Sequence, residues 1–269
     1  MKINKWLFII FIIGSLCICS AMCNSSNRNE YYSEDVYEIQ KIIENNGLAA
    51  MKNHPESWDF AVWNEEHPKR IISLELSRHG LSGKLELTGL EELVVLDCIY
   101  NQLTEVHLTN MSKLHSVYCH NNSIENIYID NLESLSSLNC DYNNLKKISD
   151  LPESLVSLSC THNLLTKAEV NNLKNLQLFY CGYNQLTELN VDSLIGLVIF
   201  HCQDNQLTQL DVSNSLNLES LVCSNNKLES LNILNQKHLQ TLDCAHNKLG
   251  EVDISGLEQL EHFWGEDNL

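Results

Sequence analysis

Leucine returns along this chain at a fixed interval. From Leu93 the register runs through Leu114, Leu135, Leu155, Leu176, Leu197, Leu218 and Leu239 to Leu260, in steps of 21 residues with one step of 20 between Leu135 and Leu155. An earlier copy opens at Ile71 with one extra residue. Behind each opening leucine, apolar and polar places alternate. The fourth place holds Leu96, Val117, Leu138, Leu158, Phe179, Phe200, Leu221, Leu242 and Phe263; the sixth holds Cys98, Cys119, Cys140, Cys160, Cys181, Cys202, Cys223 and Cys244. A period of two is the signature of a strand with one buried face. The second half of each unit alternates again, as in Val106/Leu108, Leu189/Val191 and Leu210/Val212. These stretches are too short for an α-helix and predict short extended or 3-10 segments.

Units of this length cannot bury an apolar face alone, so the pattern predicts a solenoid whose core is completed by stacking. Ten copies stacked as parallel strands about 4.8 Å apart would make a sheet of roughly 43 Å. The ninth place is Asn in every copy from Asn101 to Asn268. Asn tolerates turn geometry and carries an acceptor and two donors, so this column is expected to satisfy backbone groups of its own coil and the next. In the 20-residue unit Asp150-Leu151-Pro152 predicts a local kink.

Written out, the unit is L-x-x-L-x-C-x-x-N-x-L-x-x-L-x-V, as from Leu176 to Val191. It resembles the leucine-rich repeats of bacterial internalin-like secreted and surface proteins, over residues 71–269. The resemblance implies a β-rich horseshoe with a parallel concave sheet, a thin convex side and a helical amino-terminal cap.

Eleven cysteines in an exported chain would ordinarily suggest a disulfide framework. The spacing argues otherwise. Parallel neighbours in register hold their Cβ atoms about one strand spacing apart, whereas a disulfide wants about 3.8 Å and a specific dihedral. A straight column offers no tetrahedron and the sequence has no C-x-x-C pair, so a zinc site is not expected. The sixth-place cysteines read as small buried hydrophobes.

The opening, Lys2 and Lys5 followed by the apolar run from Trp6 to Ile13 and small residues at Ser20-Ala21, reads as a secretory signal over residues 1–22. Lipoprotein processing at Cys19 or Cys23 is the competing reading, and an uncleaved anchor the third. Residues 23–34 are a polar linker. Residues 35–70 match no repeat: Val36, Ile39, Ile42 and Ile43 fall at helical spacing with Asn45-Asn46-Gly47 as the stop, followed by Trp58 and Trp63. This stretch resembles the amino-terminal cap of leucine-rich-repeat proteins, whose physical task is to cover an open solenoid end. At the other end, Phe263 and Trp264 are the residues available to close the stack, unless the chain is truncated there.

The net charge of −18, with 15 basic against 35 acidic residues once Lys2 and Lys5 are removed with the signal, repels phosphate backbones and anionic membrane surfaces. Nucleic acid is therefore not an expected partner, and a membrane is expected only through a lipid anchor or an uncleaved signal. His120, His162, His201 and His246 lie in different coils and form no H-x-x-x-H pair. No phosphate loop or G-x-S-x-G occurs, so no cofactor, metal or catalytic residue is expected. Function should lie in the variable strand places facing the concave side. There Tyr118, Leu178, Tyr180, Ile199, His201 and Val222 stand out as apolar or aromatic residues on an exposed sheet. They form a candidate anchor for a protein partner. The alternative is a glycan- or matrix-binding solenoid using exposed rings as stacking platforms.

Overall fold

A computed structural model describes residues 30–48 and 52–269. The ten repeats each contribute one parallel strand, from Ile71–Glu75 in coil 1 through Leu178–Tyr180 in coil 6 to His262–Trp264 in coil 10. Pairing is in register at every step: Leu158 faces Phe179, and Phe179 faces Phe200. The fourth and sixth places are accordingly buried along the stack from Leu74 to Cys244. Inside, the rings of Phe179 and Phe200 stack at 5.4 Å and 4°. The expected parallel concave sheet is present, extended to eleven strands by one from the cap.

The eight sixth-place cysteines are all buried and free. Some thiols reach the backbone of the following coil: Cys140 Sγ donates to the Ser159 carbonyl at 3.3 Å and Cys160 Sγ to that of Tyr180 at 3.5 Å. Burial pushes every ladder thiol up, Cys119 to about 12 and Cys244 to about 11. A thiolate is the nucleophile and the metal ligand, so these sulfurs are held in their inert form.

The asparagine column ties coil to coil. Asn163 accepts from the Leu145 N–H at 3.0 Å, and its amide donates to the carbonyls of Cys140, Cys160 and Thr161 at 3.0, 3.2 and 3.1 Å. The same set recurs at Asn122, Asn143, Asn184, Asn205, Asn226 and Asn247. Loss of one such side chain would strand several inward-facing backbone groups, each costing about 1–3 kcal/mol. These amides belong to the scaffold.

On the convex side, Ser82–Thr88, Gln102–Thr109 and Asn126–Asp130 form a three-stranded parallel sheet, followed by two-stranded sheets pairing Lys147–Ile148 with Lys167–Ala168 and Gln209–Asp211 with Ser230–Asn232. Of the two expected forms only the extended one occurs here among the described residues. The convex ladder is interrupted between Asp130 and Lys147, just ahead of Pro152 in the short coil, while the concave pairing of Ser137–Asn139 with Ser157–Ser159 runs on unbroken. The convex ladder breaks again between Ala168 and Gln209, where the spacing is regular, so the shortened unit leaves the inner face intact and is not by itself what divides the outer one.

The cap helix spans Ser33–Asn46, beginning before the expected Asp35, and ends at Gly47 with φ +60°, a conformation glycine adopts without strain. Ile39, Ile42 and Ile43 are buried on its inner face. A strand the pattern did not reveal, Ala61–Trp63, pairs antiparallel with Ile71–Glu75 across a bulge and covers the first edge. Asp35, fully buried, accepts from Arg70 Nε and Nη2 at 3.0 and 3.1 Å and from the Ile71 N–H at 2.9 Å. The Arg70 guanidinium lies 3.8 Å from the Tyr32 ring. At the other end Phe263 and Trp264 do not close the stack. They remain 42 and 44% exposed, whereas the fourth place is buried in every earlier coil.

Candidate functional site

The concave face is built by the third, fifth and seventh places of each coil, with the eighth on its rim at the turn. Because pairing is in register, side chains at one place form a column across the sheet. Leu178 lies beside Ile199, and Tyr180 beside His201, which lies beside Val222. All five are half-buried on three consecutive strands. The Tyr180 and His201 rings meet edge to face at 5.2 Å and 86°, and His201 Nε2 lies 3.1 Å from Ser220 Oγ. Burial pushes the Tyr180 hydroxyl up and the His201 imidazole down, so both stay neutral near pH 7.

The sixth candidate does not join them. Tyr118 neighbours Asp97 and Asn139, and the strands of coils 4 and 5 separate it from Tyr180. Three strand spacings put the two roughly 14 Å apart. The patch is therefore Leu178, Tyr180, Ile199, His201 and Val222.

The rim holds what the variable columns alone did not reveal. All nine eighth-place residues from Tyr100 to Asp267 are left-handed, with φ between 51 and 57°. Asn and Asp adopt this region readily through local hydrogen bonds; tyrosine has no such help and is strained there. Yet Tyr100, Tyr142 and Tyr183 occupy it. Their compensation is mutual packing. Tyr142 stacks on His162 at 4.2 Å and 10°, and His162 on Tyr183 at 4.2 Å and 7°, while Arg78 sits over Tyr100 at 4.7 Å. His162 is covered on both faces, while Tyr142 and Tyr183 each turn one face to it and remain 52 and 45% exposed. The signal was present as a column of Tyr, His and Tyr at one repeat place, but it requires the stacking geometry to be read.

Coil 6 connects ladder and patch. Gly182 stands between Tyr180 and Tyr183, and a Cβ there would lie 2.8 Å from Gln203 Cδ, so the glutamine fills the gap that glycine leaves. Gln203 thus lies between the rim ladder and the sheet patch. Beyond it, coils 7–10 form a shallow trough bounded by His201, Val222, Asp243, His246, Trp264 and Glu266. The remaining histidines stay apart: His246 Nδ1 faces Asp267 at 3.2 Å, and His120 lies edge to face with Tyr100 at 6.1 Å. Among the described residues no group of three His, Cys, Asp or Glu could hold a metal ion.

Columns of inward leucine, cysteine and asparagine, a parallel concave sheet and a thin convex side define a leucine-rich-repeat solenoid. Solved structures of that class resemble it. The functional domain of InlJ from Listeria monocytogenes, described as including a cysteine ladder, is 24% identical, with a TM-score of 0.54 over 74% of this chain and 56% of its own. YopM, a leucine-rich effector protein from Yersinia pestis, is 29% identical, with a TM-score of 0.56 over 71% of this chain and 59% of its own. PEPR1 in the PEPR1–AtPEP1 structure is 20% identical, with a TM-score of 0.60 over 88% of this chain and 42% of its own. This chain thus spans less than two thirds of the length of each. No protein-family model and no curated protein matches the sequence.

Proposed function

We propose that this chain is an exported or cell-surface recognition module that binds a protein partner through its concave sheet and performs no chemistry itself. The observation that carries this is the continuous patch of Leu178, Ile199, Tyr180, His201 and Val222 on neighbouring strands. Rigid aromatic and aliphatic side chains held side by side are the usual anchors of protein interfaces. The buried thiols, pushed away from their nucleophilic form, support the non-catalytic part of the reading.

Residues 1–22 as signal and the lipidation sites Cys19 and Cys23 lie outside the described residues. Among those described, no helix is long and apolar enough to cross a membrane. The division into signal, linker to residue 34, cap to residue 70 and repeats to residue 269 remains part of the proposal. The intact mass of the mature chain distinguishes a simple cleaved terminus from a diacylated cysteine.

The test of the recognition face is Tyr180→Glu together with His201→Glu. Both side chains are half-exposed, so circular dichroism should be unchanged. Affinity for a partner captured by cross-linking on intact cells should fall by roughly 30-fold or more, the loss typical of an interface hot spot. Unchanged binding would move the search to the convex face or the cap.

A further inference from the structure

We propose that the occupant of the concave sheet is a basic polypeptide segment with an apolar side chain between its cations. This rests on the concave reading above and adds the chemistry of the partner. The argument is the segregation of charge between the faces. From coil 2 onward the third, fifth, seventh and eighth places contain no lysine or arginine, but they contain Asp97, Asp141, Asp204, Asp243, Glu266 and Asp267. None of these six pairs with a lysine or arginine among the described residues. Asp141 accepts from Ser159 Oγ and the Thr161 N–H at 2.7 and 2.6 Å, Asp243 from Ser224 Oγ at 2.8 Å, and Asp97 from the Ile99 N–H at 3.0 Å. Only Asp267 has an ionisable partner, His246.

Elsewhere on the solenoid acids share their faces with lysines, although some, such as Glu125, Glu219 and Glu251, have none as partner among the described residues. Glu92 pairs with Lys113, Glu169 with Lys147 and Lys167, and Glu258 with Lys237. The lysines are thus spent on the convex side and the strand-entry turns, while the concave carboxylates are left without counter-charges. A concave surface lined by one sign of charge concentrates its field and draws in the opposite sign.

The arrangement also orders the ligand. The apolar patch occupies coils 6 to 8, with Asp97 and Asp141 on its amino side and Asp243, Glu266 and Asp267 on its carboxyl side. From Asp141 in coil 4 to Asp243 in coil 9 is about 24 Å at one strand spacing per coil, the reach of roughly seven extended residues. In the trough, Val222, Ala245 and Trp264 line the wall beside Asp243 and Glu266. That combination accommodates the aliphatic stem of a lysine or arginine while its charged head meets the carboxylates. The partner segment should therefore read as cation, apolar centre, cation.

The test selects a phage-displayed library of random 12-residue peptides on the full chain, then measures the binding of individual peptides by fluorescence anisotropy. The decisive variant is D204N/D243N. Asn121 and Asn225 hold the left-handed eighth place that Asp204 occupies, and Asn139 holds the fifth place of Asp243 while accepting the Asp141 N–H at 3.1 Å. The asparagines therefore remove charge and keep the local hydrogen bonding. Selected peptides should carry Lys or Arg on both sides of an apolar residue, bind roughly tenfold more weakly to D204N/D243N, weaken from 50 to 500 mM NaCl, and be indifferent to the convex change Glu169→Gln. Acidic or uncharged peptides, no enrichment, or affinity unchanged in D204N/D243N would overturn the proposal. If affinity survives D204N/D243N but is lost in Tyr180→Glu, the charge inference fails and the concave reading stands. If it survives both, the concave reading fails as well.

Discussion

Raising the pH from 8 to about 10 should unfold this protein, with the cysteine ladder setting the midpoint. Burial in the core, and secondarily neighbouring acids such as Asp141 and Asp243, hold the folded thiols well above their ordinary range, Cys119 at about 12 and Cys244 at about 11. In the unfolded chain the same thiols ionise near 8.5. A group whose folded pKa is raised contributes stability that is complete below the unfolded value and is lost as pH climbs toward the folded value. The vulnerable window therefore opens just below pH 9 and extends to pH 11 or 12. Each thiol contributes a slope of up to about 1.4 kcal/mol per pH unit. For eight buried thiols the total approaches 11 kcal/mol per unit, comparable with the whole stability of a typical domain, about 5–15 kcal/mol. Denaturant melts across pH 7 to 10.5 should show this steep fall, and replacing Cys140 and Cys181 by alanine should reduce the slope by about 2.7 kcal/mol per unit. A chain that stays folded at pH 10.5, or a slope indifferent to the replacements, would show that the ladder is not buried as described.

The second large effect is expected in the cap. Asp35→Ala leaves the Arg70 guanidinium without its bidentate partner and the Ile71 N–H without its acceptor. Removing one member of a buried ion pair costs about 3–5 kcal/mol because the survivor is stranded. Since each coil is supported only by its neighbours, the loss should appear first as faster hydrogen exchange in Ile71–Glu75 and then spread inward. Asp35→Asn, which keeps an acceptor for Ile71, should cost less. A change below about 1 kcal/mol for Asp35→Ala would mean that the cap is held by the packing of Ile39, Ile42 and Ile43 alone.

The sequence made the columns legible because repetition averages out local ambiguity. One L-x-x-L-x-C is a weak strand signal, but eight in succession at a near-constant spacing admit only in-register stacking. The cap helix was readable from Val36, Ile39, Ile42 and Ile43. The Asp35–Arg70 pair was not, because two residues 35 positions apart leave no periodic trace of their contact. Nor was Ala61–Trp63, whose three residues are too few to show alternation. In the candidate site, Leu178 with Ile199 and Tyr180 with His201 and Val222 followed from the register. Tyr118 matches them in type, but the intervening Asn139 and Ser159 set it apart. The Tyr142–His162–Tyr183 ladder escaped because its backbone conformation is signalled by Asn121, Asp204 and Asn225 in other coils, while aromatic residues carry no such mark.

The claim at the centre of this account is that the inward columns leave one face free to recognise a partner. A photo-crosslinking amino acid placed singly at Tyr180 on the concave sheet, or at Tyr128 on the exposed convex strand, tests it most directly on cells producing the protein. Covalent adducts from position 180 and none from position 128 are the predicted result; adducts from 128 with none from 180 would contradict it.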